Sequence, residues 1–210
     1  MKGRLFKLVF AVAAGTLIGV GAAALVATKL KEAGPPDIQG LLWPDPKVVQ
    51  PFALTDQRGE PFTLAQLTGR WSFLFFGYTH CPDVCPTTLA MLDKVSRELD
   101  RGPTSNRDVR FVFVSVDPGR DTPAYLSKYV GYFNPDFLGV TGADEALTQL
   151  TRQLGIYTER EPPDADGNYL VGHGTAVLLI DPAGRLVGVF QAPHDALDVA
   201  ERFRQMRRFV

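Results

Sequence analysis

Residues 77–92, GYTHCPDVCPTTLAML, hold both cysteines of a 210-residue chain. Cys81 and Cys85 have three residues between them, each is followed by proline, and His80 precedes the first. Thioredoxin-type redox pairs keep two residues in that gap, and structural zinc sites usually bring four ligands. A disulfide between positions so near one another closes a short loop and removes little entropy from the unfolded chain. The pair is therefore read as chemical rather than as a staple. Pro86 is expected to open a helix, with Cys85 one residue before it and Cys81 in the loop above. Helix N-terminal amides stabilise thiolates, so both sulfurs are expected to be reactive. In an oxidising compartment such a pair either closes into a disulfide or holds a metal. Two thiolates suit the soft ion Cu(I), whereas Cu(II) or Zn(II) calls for a third ligand.

Three histidines are available for that role. His80 adjoins the pair, but adjacency in sequence is a poor guide to a shared ion, and its side chain can point away. His194, between Pro193 and Asp195, reads as a helix-start or surface residue. His173 stands between Gly172 and Gly174 at the entrance to a strand, where glycines permit close backbone approach. On the residues alone a turn histidine and a ligand remain equally open readings for His173.

The elements that must position these side chains follow from the apolar pattern. PFALTDQRGEPFTL (51–64) reads as two short strands turning at Asp56 to Gly59. WSFLFFGY (71–78) is a continuous apolar run suited to a strand buried on both faces, and the cysteines lie just past its carboxyl end. TTLAMLDKVSREL has helical spacing, and VRFVFVSVD (109–117) is a second buried strand. TPAYLSKYVGYF and ADEALTQLTRQL read as helices, the first with proline near its start. TAVLLIDPAGRLVGVF is a hairpin turning at Asp181 to Gly184, and HDALDVAERFRQMRRF closes the chain as a helix. This order makes an α/β domain with a mixed sheet, in which ligands bind beyond the carboxyl ends of strands.

The composition is that of an ordinary globular protein, 45% hydrophobic and 21% charged with a net charge of −1, so nothing points to nucleic acid. Residues 8–27 differ: LVFAVAAGTLIGVGAAALVA carries no charge, and Lys2, Arg4 and Lys7 precede it. A helix of that length matches a hydrocarbon core of about 30 Å and exceeds the usual apolar run of a cleaved signal. The expected organisation is a membrane anchor with a cytoplasmic basic end in 1–30, a linker in 31–47 and one domain in 48–210. The positive charges before the span place that domain outside the cytoplasm.

GYTHCPDVCPTTL, FVSVDPGRDTPAYLSKY and YLVGHGTAVLLIDPAGRL together resemble the Sco (SenC) family of copper proteins, in order and in spacing, over roughly residues 35–210. The resemblance implies a thioredoxin-like mixed sheet flanked by helices, preceded by one transmembrane helix in a bacterial inner membrane, with the domain in the periplasm. It implies one copper, as Cu(I) or Cu(II), held by Cys81, Cys85 and His173, and a redox disulfide between Cys81 and Cys85. It also implies a monomeric chaperone that takes copper from an upstream donor protein. The recipient is the dinuclear copper centre of cytochrome c oxidase subunit II. The family more often has aspartate and serine where this chain has Gly172 and Gly174, so the usual support for the imidazole is in question. Asp117 and His80 are candidates to support the ligands from behind, and Asp121 is expected to cap the helix beginning near Thr122.

Two other classes compete. A thiol–disulfide reductase would use the cysteines and have no need of the histidine. A thiol peroxidase would want a threonine three residues before its cysteine, and Pro82 occupies that place.

Overall fold

A computed structural model describes residues 37–42, 44–102 and 107–210. The expected membrane anchor, residues 8–27, lies outside the described residues. Among the described residues no helix is long and apolar enough to cross a membrane. Ile38–Val210 form one compact unit.

The run at 71–78 forms β4 (Trp71–Gly77), every residue of which is buried. It pairs in parallel with β5 (Val109–Ser115) and antiparallel with β9 (Val177–Ile180). The hairpin partner β10 (Arg185–Phe190) extends the sheet on one side and ends against β1 (Lys47–Val48). On the other side follow β6 (Leu138–Thr141), β2 (Ala53–Asp56) and β3 (Pro61–Thr63). The order β1-β10-β9-β4-β5-β6-β2-β3 is a mixed eight-stranded sheet. The β6 strand is absent from the sequence reading, since the short run FLGVT sits between two helical patterns.

Alternation along β4 builds two cores. Phe73 and Phe75 face α2 (Val84–Asp100), α3 (Pro123–Phe133) and α5 (Ala196–Phe209) through Leu89, Leu92, Leu126, Val130 and Phe203. Leu74 and Phe76 face α4 (Asp144–Leu154) through Leu147, Leu150 and Leu154, and also α1 (Leu64–Leu67) through Leu67. Burying such rings contributes about 1.5–3 kcal/mol per large side chain, which fixes the strand ends on which the site stands.

Two local expectations need correction, and one hairpin was not anticipated. The helix after the cysteines begins at Val84, so Cys85 and Pro86 both lie in its first turn, where proline is tolerated because no intrahelical N–H bond is lost. Asp121 does not cap α3: Thr122 does, its side chain accepting from the Tyr125 N–H, while Asp121 is fully buried. Residues 161–170 are the turn of a separate two-stranded hairpin, β7 (Thr158–Arg160) with β8 (Val171–His173). That turn is closed by Glu161 N–H to the Leu170 carbonyl and by Asp164 accepting from the Asp166 and Asn168 amides. The Asp166–Gly167 pair, with Gly167 at φ +82°, is a hairpin signal that the sequence carried.

Candidate metal centre

Three donors converge beyond the carboxyl end of β4: the sulfurs of Cys81 and Cys85 and a ring nitrogen of His173, all within 4.8 Å of one another. Among the described residues they are the one group of three histidine, cysteine or acidic side chains close enough to share an ion.

The cysteine side is built on a tight turn. The Cys81 N–H donates to the Tyr78 carbonyl at 3.2 Å, which lifts Cys81 over the start of α2. The Cys85 N–H then points at the Cys81 sulfur, 3.4 Å away. Beneath the turn lies the buried Asp121 carboxylate. It accepts from the Thr79 amide at 2.9 Å and from the Thr79 and Ser115 hydroxyls, each at 2.5 Å. Three donors on one buried carboxylate fix the loop to the end of β5, because losing that acceptor would leave them unpaired in the interior.

The two sulfurs differ in character. Donation from the Cys85 thiol, together with the Asp83 and Cys85 amides, lowers the Cys81 pKa to about 5. Cys85 is pushed far upward because its thiol donates a hydrogen bond to Cys81 and is wholly buried. The two sulfurs expected to be reactive are thus unequal: the half-buried Cys81 is the favoured thiolate and the buried Cys85 the favoured thiol.

His173 enters at the end of β8. Its Nδ1 lies 2.9 Å from the Val171 carbonyl and its Nε2 lies 3.3 Å from the Cys85 sulfur. A carbonyl can only accept, so the neutral ring carries its proton on Nδ1 and turns the Nε2 lone pair toward the sulfurs. This is the orientation a metal-binding imidazole requires, and a backbone oxygen two residues away provides the support that the missing aspartate put in question. The ring is wedged between aromatic side chains, Tyr78 at 5.6 Å and 90° and Phe75 at 6.4 Å and 64°.

The remaining candidates lie elsewhere. His80 is 45% exposed, sits 3.0 Å from the Thr79 hydroxyl and stacks on Tyr125, outside the donor group. His194 hydrogen-bonds the Phe190 carbonyl, and burial lowers its pKa. Asp117 is buried and does not touch the donors; it binds Arg120 at 2.5 Å and the Tyr169 hydroxyl at 2.7 Å. Sequence reasoning missed Tyr169, Arg120 and Tyr78, since nothing in their spacing announces that they meet.

Comparison with known proteins places the chain in a family. The SCO1/SenC family model matches residues 43–208. The mitochondrial SCO2 homolog of Bos taurus is 37% identical over 154 residues, covering 73% of this chain and 58% of that protein. The chain thus spans about six tenths of the length of such mitochondrial relatives. A SCO2-like protein of Rickettsia prowazekii is 34% identical over 190 residues, 90% of this chain and 91% of that one. The crystal structure of Arabidopsis thaliana ScoI with copper bound superposes with a TM-score of 0.71 at 32% identity, over 77% of this chain and 99% of that chain. Yeast Sco1 with copper bound gives 0.72 at 29%, over 79% and 91%. The shared architecture is thioredoxin-like, a mixed sheet with flanking helices. On the extent of the family match and of these relatives, the chain belongs to the SCO1/SenC family.

Proposed function

We propose that this chain is a copper metallochaperone that binds one ion through Cys81, Cys85 and His173 and passes it to the dinuclear copper centre of cytochrome c oxidase subunit II. The observation that carries the reading is the convergence of two sulfurs and a correctly oriented Nε2 within 4.8 Å. The donor set fits copper in both oxidation states. Two soft thiolates suit Cu(I), and the added imidazole nitrogen suits Cu(II). Ordering this set before the ion arrives lowers the cost of binding, while having only three protein donors leaves room for a recipient's own ligands to displace them stepwise. Residues 8–27 would anchor the domain to the bacterial inner membrane on its periplasmic face. An upstream copper donor and subunit II are then the partners, and the domain works as a monomer.

The cysteine asymmetry supports a second reading. Cys81, half-buried and with its pKa lowered to about 5, is placed to attack a partner disulfide, forming a mixed disulfide and releasing one partner thiolate. Attack by the Cys85 sulfur on that bond, its proton passing to the departing partner sulfur, would release the second, leaving the partner dithiol reduced and Cys81–Cys85 oxidised. This reaction consumes two electrons from the pair and makes no use of His173.

The two readings part at His173. In the metallochaperone reading, His173→Ala keeps Cu(I) on the thiolates but removes the nitrogen that Cu(II) requires, and with it the strong sulfur-to-copper charge-transfer band in the visible. The same substitution is expected to abolish oxidase copper-centre assembly in cells. Normal oxidase activity of the variant at limiting copper, with Cys81→Ser inactive, would sink the chaperone reading and leave the reductase standing.

A further inference from the structure

The strand that carries His173 belongs to a sheet of its own. β7 and β8 hydrogen-bond to one another and to no strand of the eight-stranded sheet. Something other than a β-ladder must therefore decide where the imidazole stands relative to the sulfurs. Val171 packs into the core and Arg160 lies 3.4 Å from Asp144 on α4, but two polar side chains of the hairpin segment also meet at one group, the Asp117 carboxylate, fully buried just past the end of β5. Tyr169, two residues before β8, donates its hydroxyl to Oδ1 at 2.7 Å. Arg160, on β7, places a guanidinium nitrogen 3.7 Å from the same oxygen. Arg120 holds the other oxygen, Oδ2, with its Nε at 2.5 Å.

The guanidinium of Arg120 does more than neutralise Asp117. Its carbon lies 3.6 Å from the Tyr169 ring centroid and 5.6 Å from that of Tyr78, and Tyr78 is the ring set at right angles against His173. Its Nη2 is buried without a hydrogen-bond partner among the described residues. A planar cation stacked on one ring and set beside a second is held by contacts to which guanidinium is suited and ammonium is not. The result is a closed circuit: His173 against Tyr78, Tyr78 against Arg120, Arg120 against Tyr169, and Tyr169 joined through the chain to β8 and back to His173.

We infer that Tyr169, with Arg120 and Asp117, is a positioning latch that holds the histidine hairpin at the cysteines and so governs Cu(II) retention more than Cu(I). The cysteine loop is pinned by a different carboxylate, Asp121, which shares with Asp117 the turn at 117–121 and the Ser115 hydroxyl but makes no contact with the Tyr169 hydroxyl. The selectivity rests on the copper reading above; the latch itself rests on metal-free geometry.

The test is Tyr169→Phe, which keeps the ring and removes only the hydroxyl, with Tyr169→Leu removing the stack as well. In metal-free protein, amide hydrogen exchange at Gly172 and Gly174 is expected to quicken about tenfold for the Phe variant and more for Leu, since a bond to a buried charged group is of that order. Exchange in α2 should not change. Competition titrations with chelators should show Cu(II) binding weakened about tenfold and Cu(I) binding by less than about twofold, with a shifted charge-transfer band. Unchanged hairpin exchange, or equal weakening of both ions, would overturn the latch. If wild-type protein binds no copper, the copper reading fails on its own, and the exchange measurement still decides whether the latch exists.

Discussion

The two halves of the site are held by different physics. Cys81 and Cys85 ride on a turn and a helix start fused to the central strands, with Asp121 satisfying three donors from below. His173 rides on a two-stranded hairpin outside the main sheet, joined to the body by the Asp117 carboxylate, an Arg160–Asp144 ion pair, an aromatic stack and the packing of Val171. In the proposed function, where the site holds its ion and later surrenders it, this division is an advantage. The thiolates stay in place while the nitrogen is carried by a smaller unit whose attachment can be altered without unfolding the domain.

The largest effect is expected where the cysteine side is undermined. Asp121→Ala removes the acceptor from three interior donors, and the loss is expected to be about 2–4 kcal/mol of folding stability, read by urea denaturation. Copper binding in both oxidation states should weaken with it. Retention of Cu(I) affinity and of stability would show that the turn stands without its carboxylate, and the contrast between the halves would disappear.

Gly77 sharpens the same contrast. A Cβ there would overlap the Cys85 sulfur and stand 2.9 Å from the Phe113 ring, both packed in the core. Gly77→Ala is expected to cost about 1–3 kcal/mol by overpacking and to displace the buried sulfur. Thermal melts and the charge-transfer band of the Cu(II) form would register the two consequences separately.

The split between the sulfurs predicts a pH profile. Since the pKa of Cys81 is lowered to about 5, its thiolate is absent well below that value and complete above it. Alkylation by iodoacetamide should therefore rise through about pH 5 and level off by about pH 6, whereas an ordinary thiol keeps gaining until about pH 8.5 and beyond. Cys85, buried and still protonated, should stay unmodified throughout; peptide mapping showing equal labelling would refute the asymmetry.

The smallest effects are expected on the histidine side. A Cβ at Gly172 would lie 3.5 Å from the Tyr157 ring, and one at Gly174 would lie 3.9 Å from Ile156, both ordinary contacts. Neither glycine has a positive φ. Gly172→Ala and Gly174→Ala should each change stability by less than about 0.5 kcal/mol. Larger losses in denaturation would mean that the hairpin is packed as tightly as the cysteine turn.

Much of the molecule was readable from residue order because the relevant forces are local. The unbroken apolar run at 71–78 required a doubly covered strand, the turns at Gly59 and Gly184 carried their own chemistry, and CPDVCP placed two thiols at a helix start. The tertiary structure decided the rest, because those features depend on groups far apart in the chain. Asp121 lies one residue from a helix start and reads as a cap, yet Thr79, 42 residues away, claims it. His173 is singled out among three histidines only by the family resemblance and not by any residue pattern of its own, and it reaches Cys85 across 88 residues. Its tautomer depends on a hairpin register, and its place depends on Asp117, Arg120 and Tyr169 meeting across two elements. Hydrophobic periodicity and turn propensity act over a few residues and can be read in order. A buried carboxylate takes whichever donors the fold delivers to it, and only the folded chain shows which those are.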